Sequence, residues 1–310
     1  MVRKVVIVGD PGIDGAFAIT LALCDPQLDL LALAATAGNV APEQATRNMQ
    51  TIVEHIDPPK WPRIGEALPL SYEINGAAIH GPSGFGGATF ECAQLHHHHA
   101  ADKVIADQIH QHRGEVTLLV LGPCTVVARA LDRDIELPKA LQQIIIVGGS
   151  WHATGDAGPV SEFHFACDPE AARQVLRAKV PITLIPLDVT SKALFSPTEL
   201  TEIPCGNSRG CQFLRRIAPF GIAATAQHFG IEGFHLLDVL GVAALAVPNA
   251  VTTRPMTADV EVRGELTRGM LVIDNRPQRA EPNVNLATDV NMELVRGYMR
   301  QVLERFRDED

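Results

Sequence analysis

The sequence predicts an open, mostly parallel α/β sheet flanked by helices, and three observations carry that prediction. Short apolar runs recur along the chain, each is apolar throughout instead of alternating, and each is followed by a segment with helical patterning. A strand covered on both faces by helices reads as one continuous apolar run. Strand followed by helix, repeated, is the pattern of right-handed crossovers in a parallel sheet.

Residues 5–8 form the first run, closed by Gly9-Asp10-Pro11-Gly12; residues 30–35, 116–121, 144–147 and 182–187 form the next four. Helices are expected over residues 16–24, 42–55, 100–112, 125–130 and 169–177. The stretch 205–233 is helical and loop-like and reads as a cap or insertion. Residues 259–272 read as a hairpin turning at Arg263-Gly264, and residues 292–306 as a closing helix. With no internal repeat and no Pro/Gly/Ser-rich linker, residues 1–310 read as one domain.

Composition narrows the function. The 310 residues are 46% hydrophobic and 20% charged, which excludes disorder and collagen and gives enough chain for a large core. A net charge of −10 without any basic run speaks against nucleic acid, whose phosphates need a basic face. The six cysteines stand apart with no C-x-x-C pair and read as scattered, mostly buried thiols in a reducing cytoplasm. No apolar stretch approaches the ~18 residues of a membrane span.

In open α/β sheets the ligand lies outside the carboxyl ends of the strands, so the residues just after each run are the candidates. Asp10 ends the first run, and Asp14 follows four residues later in the first turn of the next helix, beside its positive end. An N-cap and a first-turn aspartate account for the pair equally well. The glycines here are spaced G-x-x-G-x-x-G, which is not a dinucleotide fingerprint. Asn39 follows the second run, Gly122-Pro123-Cys124-Thr125 the third and Gly148-Gly149-Ser150-Trp151 the fourth. Ser161-Glu162-Phe163-His164 is read as extended, with Glu162 and His164 on one side, and Asp238 opens an apolar helix. Carboxylates and amides on one edge, with no serine or cysteine nucleophile, suit an oxygen-rich ligand, with or without a hard cation.

These residues resemble the inosine–uridine nucleoside hydrolase family, calcium-dependent enzymes that cleave the N-glycosidic bond of ribonucleosides. The family's opening D-x-D-P-G-x-D-D is matched by Val8-Gly9-Asp10-Pro11-Gly12-Ile13-Asp14-Gly15. Further matches are Gly38-Asn39-Val40, Thr46-Arg47-Asn48, His80-Gly81, Gly122-Pro123-Cys124-Thr125, Glu162-Phe163, Asp168-Pro169-Glu170, Leu187-Asp188-Val189-Thr190, Asp238 and Gly264-Glu265-Leu266-Thr267-Arg268-Gly269. The resemblance implies an α/β fold with a Rossmann-like core, and by analogy a homo-oligomer acting on a small ribonucleoside. It implies Asp10 as a metal-bound general base, and Asp14, Asn39 and Glu162 as groups on the ribose hydroxyls. Asp10, Asp238 and the backbone carbonyl of Thr125 are the implied calcium ligands.

Four positions depart from the family pattern. Its first aspartate is Val8, its third turn carboxylate is Gly15, the asparagine two residues after Glu162 is His164, and the histidine before Asp238 is Leu237. With Gly15 offering no oxygen, calcium binding weaker than the family's is expected. His164 and His80 are further substrate-binding candidates. Trp151 is equally a stacking platform for a base or a packing residue, and His235 equally the acid for the leaving base or a structural histidine. The run His96-His97-His98-His99 reads as a solvated loop. The alternative to a hydrolase is a ribosyl-binding protein on the same scaffold.

Overall fold

The computed structural model describes residues 2–70, 75–93 and 99–305. The first half of the chain runs β1 (Arg3–Gly9), α1 (Ile13–Cys24), β2 (Leu28–Ala35), α2 (Pro42–Ile56), β3 (Arg63–Glu66), α3 (Ala77–His80), β4 (His99–Ala100), α4 (Ala101–Gln111), β5 (Val116–Leu121), α5 (Thr125–Arg133), α6 (Leu137–Ala140) and β6 (Gln143–Val147). The second half adds α7 (Phe163–Cys167), α8 (Pro169–Leu176), β7 (Ile182–Ile185), α9 (Leu187–Thr190), β8 (Leu194–Phe195), α10 (Pro197–Thr201) and α11 (Arg209–Phe229). It closes with β9 (Phe234–His235), α12 (Val239–Ala246), β10 (Val251–Val260), β11 (Leu271–Asp274), β12 (Val284–Val290) and α13 (Met292–Glu304).

Ten strands make one sheet in the order β11-β10-β12-β7-β6-β5-β1-β2-β3-β4, and β8 pairs with β9 beside it. The pairings from β12 through β4 are parallel, and β10 lies antiparallel to both its neighbours. Helices cover both faces. Alternate residues of β1 feed two cores: Val5 and Ile7 pack with α1, α2, α11 and α12, while Val6 and Val8 pack with α4, α5 and α8. All four are fully buried, which is why this strand reads as an uninterrupted apolar run.

Several boundaries differ from the sequence reading for local reasons. The first helix starts at Ile13, not at residue 16, so the Asp14 turn is itself helical. The fifth run ends at Ile185, because Pro186 has no N–H for the ladder, and the chain turns into α9. The hairpin strands begin at Val251, and the connection over residues 261–270 is longer than a tight turn. Glu261 accepts the backbone N–H groups of Arg263 and Gly264 there and folds the loop on itself. Two of the cysteines read as isolated thiols, Cys205 and Cys211, are disulfide-bonded, with Cα atoms 5.8 Å apart across the entry to α11. Ser208 caps α11 between them, so the turn before the helix brings the two side chains together. Of the histidine run, residues 96–98 lie outside the described residues, and His99 opens β4. Phe306 also lies outside them. Among the described residues no helix is long and apolar enough to cross a membrane.

Candidate active site

The strand order reverses between β1 and β5, since the chain proceeds from β1 outward to β4 and then returns to the other side of β1. A reversal of this kind opens a crevice at the carboxyl ends of the strands. Asp10 stands in that crevice, 1% exposed. Its Oδ2 accepts the Asn39 backbone N–H at 2.7 Å, and Asn39 Nδ2 donates to the Asp10 carbonyl at 3.2 Å. The turns after β1 and β2 are thereby clasped together. Two glycines make room for the carboxylate: a Cβ at Gly38 would collide with Oδ2, and one at Gly122 would lie 2.8 Å from Oδ1. Burial pushes the Asp10 pKa up to about 7, opposed by the charge of His164 and the Asn39 N–H and aided by the negative Asp14. Oδ1 is buried and makes no hydrogen bond.

The N-cap of α1 is Gly12, with no side chain capping the helix, so Asp10 is free of that structural duty. The N–H of Ile13 is taken instead by His80 Nδ1 at 3.1 Å. An accepting Nδ1 leaves the ring proton on Nε2, which lies 3.8 Å from Asp14 Oδ1. Burial lowers the His80 pKa against the pull of Asp14, so this ring is a neutral donor aimed at a buried carboxylate. Asn48 Nδ2 donates to the carbonyls of Pro11 and Ser83, tying the Asp10 turn to the loop that carries His80.

Glu162 and His164 do share the crevice, but not through an extended segment. Glu162 is the N-cap of α7, and three backbone N–H groups hold it: Gly149 at 2.8 Å, His164 at 2.9 Å and Phe165 at 3.1 Å. His164 Nδ1 lies 3.1 Å from the Val147 carbonyl at the end of β6 and 3.6 Å from Glu162 Oε1; Nε2 lies 3.6 Å from Asp10 Oδ1. Burial alone would lower the pKa of this ring. The negative charges of Glu162, Asp10 and Asp238 override it and raise the pKa to about 10.

Asp238, leading into α12, is 4% exposed, and its Oδ1 has no hydrogen-bond partner. Burial and the charge of Asp14 hold its pKa well above the usual carboxylate range. His235, on β9, is near enough to feel Asp14. Burial lowers its pKa, and its Nδ1 is unpaired. Thr125 opens α5, where its hydroxyl donates to Asp168 Oδ2 at 2.6 Å. Trp151 is the candidate not brought to Asp10, Asp14, Glu162 or Asp238 by any contact: its ring packs on His152, 3.9 Å between centroids, beneath Arg254, and its backbone N–H donates to Asp188. The structure adds Asp156, in the loop between β6 and α7. The residue as a whole is exposed, but partial burial of its carboxyl, aided by the negative charge of Glu162, raises its pKa. The signal in the sequence was an acid next to Gly155 on the approach to Glu162.

Calcium seeks six to eight oxygen ligands. Asp10 and Asp238 bring unpaired oxygens, but Gly15 brings none, and a Cβ there would already lie 3.1 Å from Asp238 Oδ2. The group facing Asp10 Oδ1 is an imidazole nitrogen. Among the described residues no three His, Cys, Asp or Glu side chains form a group that could hold a metal ion. This donor set does not fit calcium.

Four buried carboxylates, an amide and three imidazoles thus gather at the carboxyl ends of the central strands. The chain belongs to the inosine-uridine preferring nucleoside hydrolase family, whose model matches residues 5–296, and is an enzyme of nucleosidase type. The non-specific ribonucleoside hydrolase RihC of Escherichia coli (strain SMS-3-5 / SECEC) is 33% identical over 301 residues, 95% of each chain. A plant nucleoside hydrolase, PpNRh1, superposes with a TM-score of 0.90 at 26% identity, over 97% of this chain and 99% of that one. The purine-preferring ribonucleoside hydrolase from Gardnerella vaginalis superposes at 0.88 and 26% identity, over 98% and 100%.

Proposed function

We propose that the protein hydrolyses the N-glycosidic bond of ribonucleosides to free base and ribose, with Asp10 as general base. The observation that carries this reading is Asp10 itself: a buried carboxylate with a pKa of about 7 and one unpaired oxygen, at the sheet reversal. A base acts best when its pKa lies near the working pH.

In the step, the water oxygen bonds to the anomeric carbon and a water proton passes to Asp10 Oδ1. The bond to the base nitrogen breaks, and its electron pair leaves with the base. Positive charge develops on the sugar as that bond lengthens, and the surrounding carboxylates stabilise it electrostatically. Asp14, Asn39 and Glu162 are assigned to the ribose hydroxyls, with His80 Nε2–H fixing Asp14. The leaving nitrogen needs a proton. His235 is the group assigned to deliver it, and its lowered pKa makes its cation a stronger acid.

The test is release of base and reducing sugar from inosine and uridine, by the parent and by Asp10→Asn. A parent that releases base while Asp10→Asn loses at least about 1,000-fold in kcat supports the reading. A parent that binds nucleoside and releases nothing is a ribosyl-binding protein instead.

A further inference from the structure

We infer that His164 takes the part a bound cation would otherwise play: its Nε2 is the electropositive partner of Asp10 Oδ1, and the two together hold the attacking water. This inference rests on the hydrolase reading and concerns how its nucleophile is held.

The ring has no freedom to turn away. A carbonyl oxygen only accepts, so Nδ1, 3.1 Å from the Val147 oxygen, carries a hydrogen and pins the ring to the end of β6. Nε2 then faces Asp10 Oδ1 at 3.6 Å. Both ring nitrogens thus face oxygens that accept, Glu162 Oε1 and Val147 on one side and Asp10 on the other. Nitrogens that both carry hydrogen have no lone pair for a metal, and a hard cation prefers oxygen in any case.

Asp10 has one oxygen to offer. Its Oδ2 is spent on the Asn39 N–H, while Oδ1 is buried and unpaired. Gly38 and Gly122 wall the carboxylate and bring no polar side chain to it. A separation of 3.6 Å is too long for a direct hydrogen bond, yet a water reaching Oδ1 as substrate opens the crevice would lie about 2.8 Å from both atoms. Such a water donates to Asp10 Oδ1, and Nε2–H points at its oxygen. Glu162 cannot move over to serve instead, because three backbone amides hold it. His164 keeps its proton throughout; Asp10 receives the proton from water as the oxygen bonds to the anomeric carbon. His164 is therefore a positioning residue, acting through Asp10 and the water.

The test begins with the parent, stripped with EGTA and assayed on inosine and uridine with and without added calcium. Turnover unchanged within about twofold is expected; a loss beyond about tenfold that calcium restores overturns the inference. Calorimetric titration of calcium into the stripped parent should show no binding at millimolar concentration. His164→Asn should lower kcat about 100-fold with KM held within about threefold, a split that general structural damage does not produce. The double variant Gly15→Asp/His164→Asn, offering an added carboxylate and no ring, should gain calcium binding. If the parent hydrolyses neither nucleoside under either condition, the hydrolase reading fails. Calorimetry still decides whether His164 stands in the cation's place: stoichiometric tight calcium binding to the parent overturns that, and none supports it.

Discussion

In the proposed mechanism, ionisation of Asp10 has opposite effects on catalysis and on stability. Its folded pKa of about 7 lies above the usual carboxylate value near 3.8, so folding favours the protonated form. Stability is therefore fully present below about pH 4 and is lost as pH rises through 7, while the base form that catalysis needs accumulates over the same range. Two outcomes follow. kcat/KM should be bell-shaped, rising as Asp10 loses its proton toward pH 7 and falling above it, because His235, whose pKa lies below the usual imidazole value, must carry a proton to act as the acid. Asp10→Asn cannot ionise, so at pH 8 it should unfold at higher urea concentration than the parent, by on the order of 1 kcal/mol or more, while being inactive. The place of Asp10 was legible in sequence, because Asp-Pro-Gly after an apolar run marks the carboxyl end of a strand. The orientation of His164 was not: it depends on the Val147 carbonyl, seventeen positions away in the chain and on a different element. His80 was legible only as a motif residue, since its partner Ile13 lies sixty-seven positions upstream.

At the scale of elements, the site is assembled from helix starts. Gly12, Glu162 and Asp168 are N-caps, and Asp238 immediately precedes α12. Backbone N–H groups left over at these ends hold carboxylates and an imidazole where side chains alone would leave them loose. Asp168 illustrates the supporting layer: Oδ1 caps α8 through the Ala171 N–H, and Oδ2 receives the Thr125 hydroxyl from α5. Asp168→Ala should cost about 1–3 kcal/mol in urea unfolding, because the cap is lost and a buried hydroxyl loses its acceptor. The sequence located these helices well where a proline starts them, as at Pro42 and Pro169, and poorly where a glycine or a glutamate does. Gly12 carries no side-chain signal of a helix start, and Glu162 read as part of an extended segment that would put it on the same side as His164.

For the whole molecule, the order of the parallel strands decides what can bind. Strands β1 to β3 progress to one side and β5 to β7 to the other, so the turns after β1, β2, β5 and β6 converge on one crevice. Alternating apolar runs and helical segments made the sheet class readable, but not the strand order, nor the antiparallel β10 that carries the sheet out to β11. Those depend on packing between parts of the chain far apart in sequence. The crevice they enclose is acidic, and a phosphate entering it meets Asp10, Asp14, Glu162 and Asp238 with one facing cation, His164. Inosine and uridine should therefore bind at least about tenfold more tightly than their 5′-monophosphates in calorimetry with Asp10→Asn, which binds without turnover.

The central place of β1 bears on how the protein ages under heat. The strand is laddered on both sides, to β2 and to β5, along nearly its whole length, and every side chain from Val5 to Val8 is shut away from water. Amides in such a strand exchange with deuterium only when the domain opens as a whole. Asp10 hangs directly from its end. The proposed base thus has no private melting event: inactivation on heating should track the collapse of the sheet degree for degree, with no activity lost beforehand to local fraying.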